Sequence, residues 1–233
     1  MDRYIVSIII PVLNEAAIVG RTLEQLQQYS EIEIIVVDGG SQDSTVAIAQ
    51  QRGVKVLTTT RQGKAAQMNA GANIAQGNIL LFLHADTQLP PKFTDLVVET
   101  LAQPEVIAGA FELTIAGTRP SLRWVETLGK MRSHWLSLPY GDQAIFISKS
   151  AFSMLGGFAE LPIMEDFEFI KRARKQGKIA LAPAKVITSS RRWQKLGIWQ
   201  TTLINQLIIA GYYLGISPQK LSNFYRSRGK SKK

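Results

Sequence analysis

Three short acidic motifs close apolar runs in this chain: Val36-Val37-Asp38-Gly39-Gly40-Ser41, Leu83-His84-Ala85-Asp86 and Met164-Glu165-Asp166. The runs before the first two, Ile32 to Val37 and Ile79 to Leu83, read as buried strands. Ligands of open α/β sheets gather just beyond the carboxyl ends of the strands. Carboxylates at that edge are poorly explained by packing and well explained by a polar, metal-bound or nucleotide ligand, which is the pattern of an enzyme. Each motif also has a structural reading. Asp38 followed by two glycines suits a strand-to-helix turn, with glycine supplying positive φ. Glu165-Asp166 would complement the dipole of a helix N-terminus. Asp86 would be an ordinary loop acid and His84 a structural histidine.

The elements that must position these residues alternate regularly in the first half. Ile5 to Val12 is a continuous, β-branched apolar run too short for an independent helix, and Asn14-Glu15 opens a helical stretch with Leu23 and Leu26 on one face. Glu33 to Val37 predicts a second strand, after which Ser41 or Asp43 offers an N-cap for a helix from Ser44 to Gln51, stopped by Gly53. A strand from Val54 to Leu57, a helix from Lys64 to Ala75 ended by Gly77, and a strand from Asn78 to Leu83 follow. Runs buried on both faces and separated by helices imply a parallel sheet with right-handed crossovers. The second half is less regular. It predicts a helix from Pro90-Pro91 to about Gln103, a strand from Ala108 to Ile115, and an amphipathic stretch from Leu122 to Leu138. A short strand from Ala144 to Ile147, a helix from Glu165 to Gln176 and an extended segment from Ile179 to Ile187 complete it. This half reads as an addition to the same sheet.

A chain of 233 residues fits one large α/β domain, and 45% hydrophobic with 19% charged residues is ordinary globular composition. The absence of cysteine excludes a disulfide framework, a thiolate nucleophile and a cysteine zinc site. Met1-Asp2-Arg3-Tyr4 runs straight into a strand-like segment without the features of a signal peptide, so a cytoplasmic protein is expected. The net charge of +9 divides unevenly: Met1 to Glu168 carries 12 Lys/Arg against all 18 Asp/Glu, whereas Phe169 to Lys233 carries 15 Lys/Arg and no acid. Such asymmetry points to an anionic partner for the C-terminal part: membrane lipid, nucleic acid or a phosphorylated ligand. A solvated basic helix and a disordered tail, Arg226 to Lys233, explain the same charge without a partner. No aromatic-basic recognition motif accompanies it, which argues against nucleic acid.

Five segments carry a family resemblance. They are Ser7-Ile8-Ile9-Ile10-Pro11-Val12-Leu13-Asn14-Glu15, Val36-Val37-Asp38-Gly39-Gly40-Ser41-Gln42-Asp43-Ser44-Thr45, Gly63-Lys64-Ala65-Ala66-Gln67-Met68-Asn69-Ala70-Gly71, Leu83-His84-Ala85-Asp86 and Met164-Glu165-Asp166. In this order they resemble family 2 glycosyltransferases of the GT-A fold, from about Val6 to about Trp193. The resemblance implies an α/β fold with a mostly parallel nucleotide-binding sheet flanked by helices, here with a C-terminal helical extension. It implies a GT-A domain over residues 1–195, with a nucleotide-sugar half to about residue 90 and an acceptor half from 91. An apolar helix and basic tail would follow over 196–233.

Site roles follow from the same resemblance. Asp38 would accept a hydrogen bond from a uracil base, while Pro11, Asn14 and Glu15 shape the base and ribose pocket. Gly63, Lys64 and Asn69 belong to the third-helix motif, where a cation and free backbone N–H groups suit phosphate; a surface lysine is the alternative. Asp86 would bind Mg²⁺ or Mn²⁺, hard cations that choose carboxylate and phosphate oxygens and bridge the leaving group. Asp166, with Glu165 as second candidate, would take the acceptor hydroxyl proton at roughly 2.6–3.2 Å. His84 stands where the family's Asp-x-Asp has its first Asp; imidazole suits Mn²⁺ better than Mg²⁺, or contacts only the ribose. Processive members carry Gln-x-x-Arg-Trp. Arg192-Trp193 matches its end, but Ser189 replaces the Gln, so transfer of a single sugar fits better than polymer synthesis. Arg192 would pair with diphosphate and Trp193 would stack on a sugar face. Asp142, in Tyr140-Gly141-Asp142-Gln143, falls where such enzymes meet the acceptor, or is a turn residue.

The expected reaction is inverting glycosyl transfer, hexosyl or related, from a nucleotide-diphosphate sugar to a hydroxyl, with UDP preferred to GDP or dTDP. In detail the chain looks most like a small, mainly bacterial subgroup associated with arsenosugar formation or the glycosylation of lipid-like acceptors. A nucleotide-sugar-binding regulator without turnover is the rival reading; intact Asp86 and Asp166 argue against it, and His84 for it.

Ile198 to Ile216 spans 19 residues, near the lower limit of roughly 17–25 for a transmembrane helix. Gln200, Thr201, Thr202, Asn205 and Gln206 interrupt it. Leu203, Leu207, Ala210 and Leu214 recur at helical spacing and form one face. These interruptions disfavour a free span and leave two stronger readings: a packed terminal helix, or an interfacial helix that Trp199, Tyr212, Tyr213 and the basic tail draw to anionic lipid. The second would hold a cytoplasmic enzyme peripherally at the inner face of the cytoplasmic membrane, beside a lipid-like acceptor.

Overall fold

The computed structural model describes residues 5–61, 63–117, 122–123, 125–126, 139 and 141–229. The first half alternates as its apolar runs require: β1 (Val6–Val12), α1 (Ala16–Leu26), β2 (Ile32–Asp38), α2 (Thr45–Gln51), β3 (Lys55–Thr58), α3 (Lys64–Ile74) and β4 (Ile79–Phe82). All seven residues of β2 are buried, including Glu33. That carboxylate accepts hydrogen bonds from Ser7 on β1, Lys55 on β3 and the Gln76 N–H. Burial alone would raise its pKa, but these three donors outweigh it and hold the group below its ordinary value. Glu33 therefore ties three neighbouring strands together while remaining charged.

The second half adds β5 (Thr87–Gln88), α4 (Phe93–Leu101), β6 (Val106–Ile115), β7 (Phe146–Ser148), α5 (Lys149–Met154), α6 (Glu165–Ala173) and β8 (Lys178–Thr188). Among the described residues one sheet runs in the order β3-β2-β1-β4-β7-β6-β8-β5. It is parallel from β3 through β4 and between β6 and β8. It is antiparallel where β7 joins β4 and β6, and where β5 joins β8. The expected addition to one sheet is thus made through β7. That strand starts at Phe146, not Ala144, because Ala144 has a φ of 50°, which no strand residue adopts. Similarly, α4 begins at Phe93 and not at the two prolines, since Lys92 before it stands in the left-handed region. β5 has only two residues, too few to leave a periodicity in the sequence.

Apolar side chains cover both faces of the sheet. On one face Phe82, Phe152, Phe158 and Phe169 stack in a cluster, with the Phe158 and Phe169 ring centroids 4.5 Å apart. On the other, Leu23, Phe93 and Val97 pack from α1 and α4. Gly109 on β6 lies under the Phe146 ring; a Cβ there would fall 2.3 Å from a ring carbon. The chain closes with α7 (Arg191–Leu196), α8 (Ile198–Tyr213) and α9 (Pro218–Gly229). Ile204 and Ile208 of α8 and Leu221 of α9 join the aromatic face of the core. No helix among the described residues is long and apolar enough to cross a membrane. The amphipathic stretch expected from Leu122 to Leu138 lies largely outside the described residues, as do Tyr140 and the tail beyond Gly229.

Candidate active site

At the carboxyl edge of β1 and β2 the loops hold each other. Asp38 ends β2, and its Oδ2 accepts the N–H groups of Gly40 at 2.9 Å and Ser41 at 3.1 Å. The buried carboxylate therefore shapes the glycine turn that follows it. Asn14, at φ 56°, accepts the Gln42 N–H at 2.8 Å and donates its own N–H to Ser41 Oγ at 2.8 Å. The next two N–H groups, Glu15 and Ala16, go to Thr45 Oγ1 at 2.8 Å and Asp43 Oδ2 at 3.2 Å. The start of α1 is thus satisfied from the second loop and not by a cap of its own. Asp43 also accepts the Thr45 N–H at 3.0 Å, so one carboxylate fixes the starts of α1 and α2 together.

Gln67 is the residue that sequence reasoning passed over. Its buried Nε2 donates to Val12 O at 2.8 Å and Val37 O at 2.7 Å, bridging carbonyls at the carboxyl ends of β1 and β2. One signal was present: a long amide among alanines in the Gly63 to Gly71 motif. Asn69, on the same helix, spends its amide on the Phe158 backbone, donating at 2.8 Å and accepting at 2.9 Å. It ties α3 to the loop before α6 and does not line the cavity described next.

Beyond β4 lies a cavity of about 250 Å³, lined on its polar side by Lys64, His84, Asp86, Asp142, Glu165 and Asp166. Trp193, Ile163, Met164, Ile208, Ile209 and Tyr225 line its less polar side, with Thr188, Ser189 and Asn205 also on the wall. The fold therefore gathers Lys64 from α3, His84 and Asp86 from the end of β4, the pair at the start of α6, and residues from α7 to α9. Asp166 Oδ2 accepts the Gly141 N–H at 2.6 Å. A Cβ on Gly141 would stand 3.1 Å from that oxygen and 3.3 Å from His84 Nε2, so only glycine leaves both groups in place. Burial, and then the neighbouring Asp166 carboxylate, push the Glu165 pKa up, while Lys64 opposes them. Glu165 is thereby biased toward its protonated form.

His84 Nε2 and Lys64 Nζ are 3.3 Å apart. Burial, and then the Lys64 ammonium, hold the His84 pKa well below its ordinary value, so the ring is neutral and accepts from the lysine. Across the cavity edge, the Arg191 guanidinium reaches Asp86 Oδ2 and Glu15 Oε2, each at 3.2 Å. Arg191 was not among the residues singled out from the sequence; only tertiary folding brings it within reach of Glu15 and Asp86. Pro11 lines a narrow recess beside Lys64, His84 and Asp166. Gly63, at φ 105°, forms the N-cap of α3. Asp142 sits in a single 3₁₀ turn, Gly141–Gln143, on the cavity wall. Trp193 is buried there, and its Nε1 has no acceptor among the described residues. The Arg192 side chain lies outside the described residues.

No group of three or more His, Asp or Glu side chains stands ready to hold a metal among the described residues. Asp86 alone fits a hard divalent cation, because such ions take one or two carboxylates and complete their shell with phosphate oxygens and water. The His84 lone pair is committed to Lys64, which leaves the imidazole a poor ligand as it stands.

Residues 7–158 match the model of glycosyl transferase family 2. A PGL/p-HBAD biosynthesis glycosyltransferase of Mycobacterium tuberculosis is 37% identical over 215 residues, covering 86% of this chain and 80% of that protein. Among solved structures, the mannosyltransferase PcManGT from Pyrobaculum calidifontis in complex with GDP-Man and Mn²⁺ matches with a TM-score of 0.64 at 21% identity. The match covers 87% of this chain and 61% of that one. S. aureus TarS 1-349 in complex with UDP-GlcNAc matches with a TM-score of 0.66 at 18% identity, covering 80% and 59%. Both structures carry the fold, and this chain spans about three-fifths of their length. With the family model covering well over half of the residues, the chain belongs to glycosyl transferase family 2, and it is a glycosyltransferase with a GT-A fold.

Proposed function

We propose that this glycosyltransferase moves a single sugar from a UDP-sugar to a hydroxyl acceptor with inversion, using Asp166 as general base. The observation that carries the reading is the cavity itself: one carboxylate pair at a helix start, with Lys64 in the same lining and Arg191 paired with Asp86 at its edge. A base must lie within hydrogen-bond reach of the proton it takes. Asp166 meets that need because the Gly141 N–H fixes its carboxylate, while Glu165 is biased toward the protonated state. In the transfer, the acceptor oxygen bonds to the anomeric carbon as the bond to the diphosphate breaks, and its proton passes to Asp166. Lys64 and Arg191 stabilise the departing diphosphate. Asp86 would hold Mn²⁺ or Mg²⁺, which supplies further charge relief to that group.

On the donor side, Pro11, Asn14, Glu15 and Asp38 border the base and ribose site, held open by Gln67. Gly63 and Lys64 are assigned to the phosphates, and Arg192 is assigned to the diphosphate on its sequence position alone. Trp193, with its unaccepted indole N–H, and Asp142 border the acceptor. Residues 1–195 form the transferase unit, with the donor half to about residue 90, and 196–233 extend it. Ile163, Ile208, Ile209 and Tyr225 make the acceptor wall apolar, which supports a lipid-like acceptor and a peripheral place at the inner face of the cytoplasmic membrane.

The test pairs nucleotide binding with turnover. Saturating UDP with Mn²⁺ should raise the thermal midpoint by on the order of 5–10 °C, and Asp86→Ala should remove the Mn²⁺ dependence of that shift. Asp166→Asn should lower transfer roughly 100-fold or more while leaving the shift intact. Wild-type turnover in Asp166→Asn would put the base elsewhere, and a product with retained configuration would end the single-displacement mechanism.

A further inference from the structure

Helix α8 has three faces, and the reaction accounts for only two. Thr201, Ile204, Ile208 and Gly211 are buried against the body of the protein, and Asn205, Ile208 and Ile209 line the cavity. The third face is a stripe of exposed apolar side chains. Trp199 is 72% exposed, Leu203 60%, Leu207 48% and Tyr213 59%, and Leu214 just past the helix is 81% exposed. At the helical rise of about 1.5 Å per residue, this stripe runs for roughly 24 Å. It includes the Leu203, Leu207, Ala210 and Leu214 face that helical spacing picks out in the sequence. Monomeric proteins rarely leave so long an apolar surface open without a partner.

The surrounding charge selects the partner. Helix α8 has no charged residue, and no Asp or Glu occurs after Glu168. The Lys171 ammonium lies 5.7 Å from the Tyr213 ring centroid, and Lys220, Arg226 and Arg228 are exposed on α9. Two copies meeting face to face through this stripe would bring like charges together. An anionic bilayer would take the leucines among its acyl chains, the Trp199 and Tyr213 rings at its interface, and the lysines and arginines at its headgroups.

We infer that the outer face of α8 is the membrane-docking surface, and that it sets the adjoining cavity flank of the same helix at the level of an anionic bilayer. The inference deepens the acceptor side of the reading above and rests on it only for what enters the cavity. Docking brings the Asn205 and Ile209 flank of the cavity toward the lipid phase, so an acceptor with an apolar chain approaches Asp166 from the bilayer side.

Vesicle flotation with the full chain tests it, using phosphatidylcholine vesicles with and without phosphatidylglycerol. The protein should float with the anionic vesicles and less as salt rises. Leu203→Ser with Leu207→Ser should lower partitioning roughly tenfold or more, as should Lys220→Glu with Arg226→Glu. Both pairs are exposed, and an unchanged UDP-dependent thermal shift in each variant shows that the fold and donor site persist. Failure to float with anionic vesicles, or flotation that the leucine pair does not reduce, overturns the inference. A dimer in sedimentation that dissociates in Leu203→Ser/Leu207→Ser also overturns it, by assigning the stripe to a second copy. If the unaltered chain fails to float while its nucleotide shift is intact, the docking surface alone falls; if the unaltered chain shows no shift, the UDP-sugar reading falls.

Discussion

Glu165 and Asp166 are adjacent in sequence yet differ in what the fold makes of them. Glu165 is the more enclosed, and its raised pKa means that the folded chain binds this proton more tightly than the unfolded chain does. The sign for stability follows by linkage. At low pH the carboxyl is protonated in both states and costs nothing. As pH rises from the ordinary carboxylate range through the raised folded value, holding or ionising the buried group becomes increasingly unfavourable. Glu165→Gln should therefore raise the thermal midpoint near neutral pH, with the gain shrinking toward acid pH. A gain that is constant across pH, or largest in acid, would contradict this account. These motifs were legible as chemistry because carboxylates at strand ends have few structural uses. The carboxylate Asp38 was legible only in part, since its bonds to Gly40 and Ser41 realise the turn role that its glycine neighbours suggest.

Among the elements, β7 does most to unite the molecule. It joins the parallel β3-β2-β1-β4 block to β6, and its Phe146 sits directly over Gly109. Gly109→Ala would force that ring from its place in a fully packed layer, at a cost of about 1–3 kcal/mol. At about 2–4 °C per kcal/mol for a chain of this length, calorimetry should record a clear fall in the midpoint. An unchanged midpoint would mean that the interface between the two halves is looser than its packing implies. The long parallel strands were legible because they are apolar on both faces. β5 and the short helices α5 and α7 were not, since pieces of two to six residues carry no measurable period, while β7 was expected two residues early, from Ala144.

Across the whole molecule, Arg191 connects the last third of the chain to its first half through Glu15 and Asp86. Glu15 and Asp86 outweigh the effect of burial and keep the guanidinium charged. The pairs are partly exposed, so Arg191→Gln should cost less than about 1 kcal/mol of stability in urea unfolding. UDP affinity should fall by roughly tenfold, the scale of one charge-assisted hydrogen bond to phosphate. Titration calorimetry reads the second quantity. A large loss of stability with unchanged affinity would make Arg191 a structural strut instead. The uneven charge of the chain also acquires a place here: α9, whose Leu221 packs on Gly211 of α8, carries Lys220, Arg226 and Arg228 exposed.

The order of the motifs and the apolarity of the strands determined, from sequence alone, the fold class, the enzyme class and most of the polar cavity lining. Those features are local, because a strand end and the carboxylate that follows it lie within a few residues. Only the tertiary structure decided that Gln67 holds the carboxyl ends of β1 and β2 and that Arg191 meets Asp86. The same holds for Asn69, which serves the loop before α6, and for the Leu203–Leu207 face of α8, which stays outside. Each of these depends on groups brought together from distant positions in the chain. A long polar side chain or an apolar helix face leaves its partner unspecified until folding sets the distances.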